Sequence, residues 1–298
     1  MRFKRFPDGP FPRFLGLRNG PLNRTELVVK AVPTSPNYLT EEDVEQLHLR
    51  LFNLLSFLVS REVGIGPIAG LDDKGEIVWA HFSSSRRRPG RPGFRWCAEQ
   101  DMGPVLSTVA SGYCEATQDR AIEEIVGRSI EALCFSNSGE VLDVRIPIAC
   151  TALETFAWAY LRRCEDVGRE EAKHMPLGVM LRRLLTAAQI PTQIPDNLKA
   201  FHARAKEIED LKEGDAPKIL ASIRNGLVHP PKNLEDPEWP SHDQLIEAWQ
   251  ISTWYLELML LLWLRYDDHF LSRIDLWNGA VHPTPVPWAS SSSQDNQH

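Results

Sequence analysis

The sequence predicts an α+β protein: a mixed α/β N-terminal module followed by an all-α helical bundle. Strand-like runs fall early in the chain, and from about residue 145 the apolar spacing is helical throughout. A hydrophobic content of 43% across 298 residues supplies a substantial core, for one large domain or two ordinary ones. The expected organisation is an irregular segment over 1–24, an α/β module over 25–140, a helical domain over 145–270 and a disordered tail over 278–298.

Residues 1–24 hold Phe, Pro and Arg without a period. "ELVVKAV" (26–32) reads as a strand closed by Pro33 and Pro36. "TEEDVEQLHLRLFNLLSFLV" reads as a helix. Thr40 offers the N-cap, Asp43 sits three residues on, and Val44, Leu47, Leu51, Leu54, Leu55 and Leu58 follow at helical spacing. "GPIAGLDDKGEIVWAHF" reads as a hairpin turning at Asp72–Gly75. A helix is expected over 117–134. "IPIACTALETFAWAYLRRC" then puts Ile146, Ala149, Cys150, Leu153, Ala157, Tyr160, Leu161 and Cys164 on one face. Shorter helices are expected at 176–188 and 196–212, then one over "KILASIRNGLVH" and a long last helix from His242. From Trp254 that helix is apolar nearly all round, as suits the centre of a bundle or a subunit interface. The tail beyond Trp277 is rich in Pro and Ser and reads as disordered.

A net charge of −7 argues against polyanion binding by the surface as a whole and leaves room for a local basic patch. The basic N-terminus lacks the apolar stretch of a secretory signal. The longest apolar run, "WYLELMLLLWL", is too short to span a bilayer and contains Glu257. These features predict a cytoplasmic protein with no membrane partner. The five cysteines are odd in number and widely spaced, and read as small buried hydrophobes in a reducing compartment.

"SSSRRRPGRPGFRW" (83–96) is a basic loop. Arg86, Arg87, Arg88 and Arg91 are candidate contacts to a nucleic-acid backbone, where clustered arginines gain affinity by counterion release. The loop approaches the AT-hook pattern for minor-groove DNA, but Pro89 interrupts its Arg-Gly pair, so DNA binding is the least favoured reading. Asp267-Asp268-His269 suggests a metal only weakly, since it sits at a helix end. There is no Walker loop and no G-x-G-x-x-G after a strand.

The most informative stretch is "KILASIRNGLVHPPKN" (218–233). Arg-x4-His occurs twice, as Arg224–His229 and as Arg169–His174. The second copy lies in a charged stretch before Pro176 and reads as a solvated helix end. The first ends an apolar helix and is followed directly by Asn225. Arg224 and His229 also suit a structural role, as cations at the negative end of a helix dipole stopped by Pro230.

"IRNGLVHP" resembles the R-N-x-x-x-H form of the HEPN superfamily motif. "TALETFAWAYL" is similar to the first long HEPN helix, with Glu154 at the position of its acidic residue. The resemblance covers roughly residues 145–270. The whole arrangement resembles bacterial abortive-infection and antiphage HEPN proteins. It implies a metal-independent RNA endonuclease without a cofactor, acting as a homodimer in which two Arg/His motifs meet, with Arg224, Asn225, His229 and Glu154 as site residues. The 2′-hydroxyl would attack the adjacent phosphorus and leave a 2′,3′-cyclic phosphate. A regulatory partner or trigger would act on the N-terminal module. The alternative is a non-catalytic HEPN module that binds nucleotides or proteins.

The residue chemistry suits this reaction. Imidazole titrates near neutrality and can accept the 2′-OH proton or protonate the departing 5′-oxygen. Guanidinium forks onto phosphate oxygens where charge builds up. Asn225 can fix the histidine tautomer or hold a phosphate oxygen, and Glu154 can orient Arg224. DNA lacks the 2′-OH, so the chemistry selects RNA. In a continuous helix, residues five apart point about 140° from each other. Convergence of Arg224 and His229 therefore needs a helix ending near Val228 or a second subunit.

Overall fold

The structure is a computed structural model. It describes residues 13–19, 25–30, 41–65, 68–71, 74, 76–81, 95–98, 101–138, 141–207, 215–229, 239–276 and 282–289. In chain order the elements are β1 (Arg13–Asn19), β2 (Thr25–Lys30), α1 (Glu41–Leu58), β3 (Ile68–Leu71), β4 (Ile77–His81), α2 (Met102–Ala116), α3 (Arg120–Ser136), α4 (Leu142–Arg163), α5 (Arg169–His174), α6 (Leu177–Ala187), α7 (Lys199–Glu207), α8 (Ala216–Val228), α9 (His242–Trp263), β5 (His269–Phe270), α10 (Arg273–Leu276) and β6 (Thr284–Pro285).

The architecture grows from two long helices. α4 buries Ile146, Ala149, Cys150, Leu153, Phe156, Ala157 and Leu161. α9 is buried without a break from Ala248 to Leu261, so its all-round apolarity marks the centre of the bundle. Phe156 meets Trp263 edge to face, with ring centroids 4.7 Å apart. A capping box of Ser241 and Gln244 starts α9. α3 packs against both helices, and α6 and α8 pack against α4 and each other. The start of α6 sits close on α8: a Cβ on Gly178 would lie 3.1 Å from Lys218 Cα, tighter than ordinary contact.

Glu257, buried in α9, is paired with Arg273 of α10, at 2.5 Å between Oε1 and Nη2. Both side chains are 1% exposed. Burial raises the Glu257 carboxyl above the usual range, and the Arg273 charge pulls it back. The guanidinium carbons of Arg145 and Arg273 lie over the Trp249 ring, 4.0 Å and 5.4 Å from its centroid.

The expected mixed α/β N-terminal module is not found; the fold is mostly helical. Among the described residues, the strands form three separate two-stranded antiparallel pairs and no larger sheet. α1 instead packs on α2 and α3, and Phe57, Leu58, Leu106, Val109, Tyr113 and Val126 join the same core as α4 and α9. The strand signals were local hairpin signals, and the helices around them had a nearer apolar surface to cover. β1 falls inside the segment expected to be irregular and pairs with β2. α2 was not anticipated. The tail also differs from expectation, because residues 282–289 dock. β6 pairs with β5, Val286 is fully buried and Trp288 Nε1 donates to the Tyr266 carbonyl at 2.8 Å.

The cysteines are all free. Cys97, Cys134 and Cys150 are buried as expected, but Cys164 is exposed as the C-cap of α4. Burial pushes the thiols of Cys97, Cys114 and Cys150 up to about 12, which leaves them protonated and unreactive. Among the described residues no helix is long and apolar enough to cross a membrane.

Candidate functional site

α8 is specified at both ends. Asp215 caps it, its side chain accepting from Lys218 N at 3.1 Å, and Pro217 sits in the first turn. Arg182 of α6 forks onto the same carboxylate, with Nη2 donating to Oδ1 at 3.0 Å. Ile219, Leu220 and Ile223 are buried against the core, and Leu227 packs on its edge. At the far end the Pro230 ring disfavours helical geometry at the preceding residue. His229 accordingly leaves the helix with φ −121° and ψ 148°, its N–H still bonded to the Asn225 carbonyl at 3.0 Å.

This frame brings three of the expected residues together. Arg224 reaches from α8 to α4, where Nη2 contacts Glu154 Oε2 at 3.4 Å. Its Nη1 donates to Asn225 Oδ1 at 3.1 Å. The guanidinium also lies close enough to Cys150, one turn before Glu154, to act electrostatically on its thiol. Its Nε is buried and has no acceptor among the described residues. The Arg224 side chain is 22% exposed and that of Glu154 43%. Both terminal nitrogens are therefore engaged and Nε is buried, while part of the side chain stays exposed.

His229 is brought to the same end of α8 but not into this cluster. It is exposed, and among the described residues its imidazole has no hydrogen-bond partner. α8 ends at Val228 and His229 is extended, so the backbone meets one of the two conditions for convergence, but among the described residues no hydrogen bond joins His229 to Arg224. Gly226 lies between them, and a Cβ there would meet nothing within 4 Å, so the surface between the two side chains is open.

The remaining candidates fare differently. Arg86, Arg87, Arg88 and Arg91 lie outside the described residues. Arg169 and His174 are exposed on the six-residue α5. Asp268 is engaged by its neighbour, with His269 Nδ1 at 2.7 Å and His269 N at 2.8 Å from Oδ1. Among the described residues no group of three or more His, Cys, Asp or Glu gathers as a metal site. Sequence reasoning missed Arg182 and Asp215, which fix the start of α8. The Asp-Ala-Pro order was the available sign of that cap.

The chain is similar to a prophage protein. It is 24% identical over 237 residues to the SPbeta prophage-derived uncharacterized protein YopA of Bacillus subtilis (strain 168). That alignment covers 78% of this chain and 51% of the relative, so the chain spans about half the length of the curated relative it matches. No solved structure matches the chain. The family model of the YopA C-terminal domain matches residues 115–282, from the end of α2 to the loop before β6. That span is more than half of the chain and includes Glu154, Arg224, Asn225 and His229, and the protein belongs to the YopA C-terminal domain family.

Proposed function

We propose that this protein is a metal-independent RNA endonuclease of HEPN type, acting in the cytoplasm as a toxin or antiphage-defence effector. The observation that carries the reading is the Glu154–Arg224–Asn225 cluster: a guanidinium held by a carboxylate on a neighbouring helix, on a side chain that stays partly exposed. A guanidinium so held meets a phosphate with little reordering, and it opposes the charge that grows on the phosphorane oxygens. Glu154 positions Arg224, and Asn225 takes one of its donors.

His229 supplies the proton transfer. It accepts the 2′-OH proton or protonates the 5′-oxygen as the P–O5′ bond breaks, leaving a 2′,3′-cyclic phosphate and a 5′-hydroxyl. We assign the working site to a homodimer, where the two motifs face one cleft; what supports it is that, among the described residues, the exposed His229 makes no hydrogen bond to the Arg224 cluster within one copy. Arg86, Arg87, Arg88 and Arg91 supply further contacts to the RNA backbone. A trigger or regulatory partner acts on the residues before α3, restraining a nuclease that would otherwise harm its own cell. The prophage origin in the relative's name fits a role in conflict between phage and host.

The test is a matched pair of oligonucleotides in EDTA, one RNA and one with deoxyribose throughout. The protein cuts the RNA and leaves the DNA, and Arg224→Ala and His229→Ala each abolish cutting and relieve toxicity on overexpression. Cutting that survives both substitutions, or that extends to DNA, refutes the assignment. Intact RNA together with a stable complex to another protein would point to the non-catalytic binding module.

A further inference from the structure

A cleft of about 350 Å³ opens between the loop from α6 to α7 and the start of α10, at the small end of the range that ligand sites occupy. Its walls are apolar, with Ile194 and Pro195 on one side and Ile274 on the other, and Trp254 of α9 lies at its base. The walls are tied in place. The Tyr255 hydroxyl donates to the Pro191 carbonyl at 3.1 Å, and Ala216 N donates to the Thr192 carbonyl at 2.9 Å. Asn197 Nδ2 joins one wall to the other through the Ile274 carbonyl at 3.0 Å.

Two features of this cleft are left unsatisfied by the chain itself. Asp196 and Asp275 line it, one from each wall, and among the described residues neither carboxylate has an ion pair or a hydrogen bond. Among the described residues no Lys, Arg or His lines it with them. Arg273, between Ser272 and Ile274, is turned inward to Glu257. The second feature is at the base. Trp254 is 8% exposed, and its Nε1 is buried with no acceptor among the described residues. A buried N–H without a partner is uncommon in a finished core. Two uncompensated carboxylates beside low-dielectric walls give the cleft a focused negative potential.

We infer that this cleft is a binding site for a small organic ammonium ion with an apolar body. Asp196 and Asp275 meet the ammonium group, and the body covers Pro195, Ile274 and the Trp254 indole, whose ring also attracts a cation. The same charges repel phosphate, so the cleft is no part of an RNA path. It is also separate in place from the Glu154–Arg224 cluster. Its wall meets Ala216, the first residue of α8, and Arg224 stands eight residues further on, about 12 Å of helix rise. The inference therefore stands apart from the nuclease reading.

Calorimetric titration of the full chain tests it with three molecules of similar shape: phenylethanolamine, a cation; phenylethanediol, which is neutral; and mandelate, an anion. Phenylethanolamine binds saturably, phenylethanediol binds about tenfold more weakly, and mandelate does not bind. Asp196 is exposed and Asp275 half-buried, so their substitution leaves the fold and the melting temperature unchanged. Asp196→Asn and Asp275→Asn each weaken binding of the amine by about fivefold, as the loss of a partly exposed ion pair does. Equal binding of all three molecules, no saturable binding of the amine, or amine binding that ignores the double substitution overturns the inference. No RNA is present, so the result bears on the cleft alone.

Discussion

At the scale of single residues, Arg224 is held by contacts that cost little to break. The Glu154 pair is 3.4 Å long and partly exposed, so it contributes at most about 1 kcal/mol to stability. Glu154→Gln should leave the melting temperature nearly unchanged. It should lower the cleavage rate by about 10- to 100-fold if the carboxylate aims the guanidinium. Single-turnover kinetics beside thermal melts separates the two effects, and an unchanged rate would remove Glu154 from the site. Neutralising Arg86, Arg87, Arg88 and Arg91 should weaken RNA binding at all sequences alike. It should also flatten the salt dependence by roughly 0.7 per lost phosphate contact, measured by titration at several salt concentrations. Arg224, Asn225 and Glu154 were legible because a motif spacing and a matching helix marked them. The partner of Glu257 was not, because nothing in the order of residues ties it to Arg273 sixteen positions on.

At the scale of elements, the caps explain where helices start, and they titrate. Asp119 caps α3, accepting from Ala121 N at 2.9 Å, and pairs with Arg163 at the end of α4. The hydrogen bond from Arg163 and the two backbone donors hold its carboxyl below the usual range. A carboxylate lowered in the folded state adds stability above its unfolded pKa, and that stability is lost as pH falls through the folded value. The gap in melting temperature between wild type and Asp119→Ala should thus be present at neutral pH and close in acid. Asp215→Ala should cost about 1 kcal/mol through the lost cap of α8. The missed α2 shows where local reading fails. Gly103, Pro104 and Gly112 look like breakers, yet Met102, Leu106, Val109, Ala110 and Tyr113 are buried at helical spacing. Gly112 is there for proximity: a Cβ would lie 1.6 Å from the Leu264 carbonyl oxygen. Gly112→Ala should destabilise by about 3 kcal/mol, the upper end for overpacking, because backbone cannot yield as a side chain does.

At the scale of the molecule, one core runs from α1 to the docked residue Val286. The expected α/β module failed for this reason. Each hairpin signal was real locally, but pairing beyond two strands depends on contacts distant in sequence, and in the folded chain the helices form the core. The buried Glu257–Arg273 pair ties the end of the chain to the central helix. Arg273→Met should cost about 3–5 kcal/mol by leaving the carboxylate uncompensated, and adding Glu257→Leu should recover part of it, as denaturant melts of the three variants would reveal. The bundle from α4 to α9 was legible because long amphipathic runs and caps set it. The relation of His229 to Arg224 was not, since it depends on how α8 ends.

The account stands most directly on the ends left in cut RNA. Purified full-length protein, incubated with cellular RNA in EDTA, should yield fragments with 2′,3′-cyclic phosphate and 5′-hydroxyl ends, and His229→Ala should yield none. Uncut RNA from the wild-type protein, or the same ends in equal amount from His229→Ala, would contradict it.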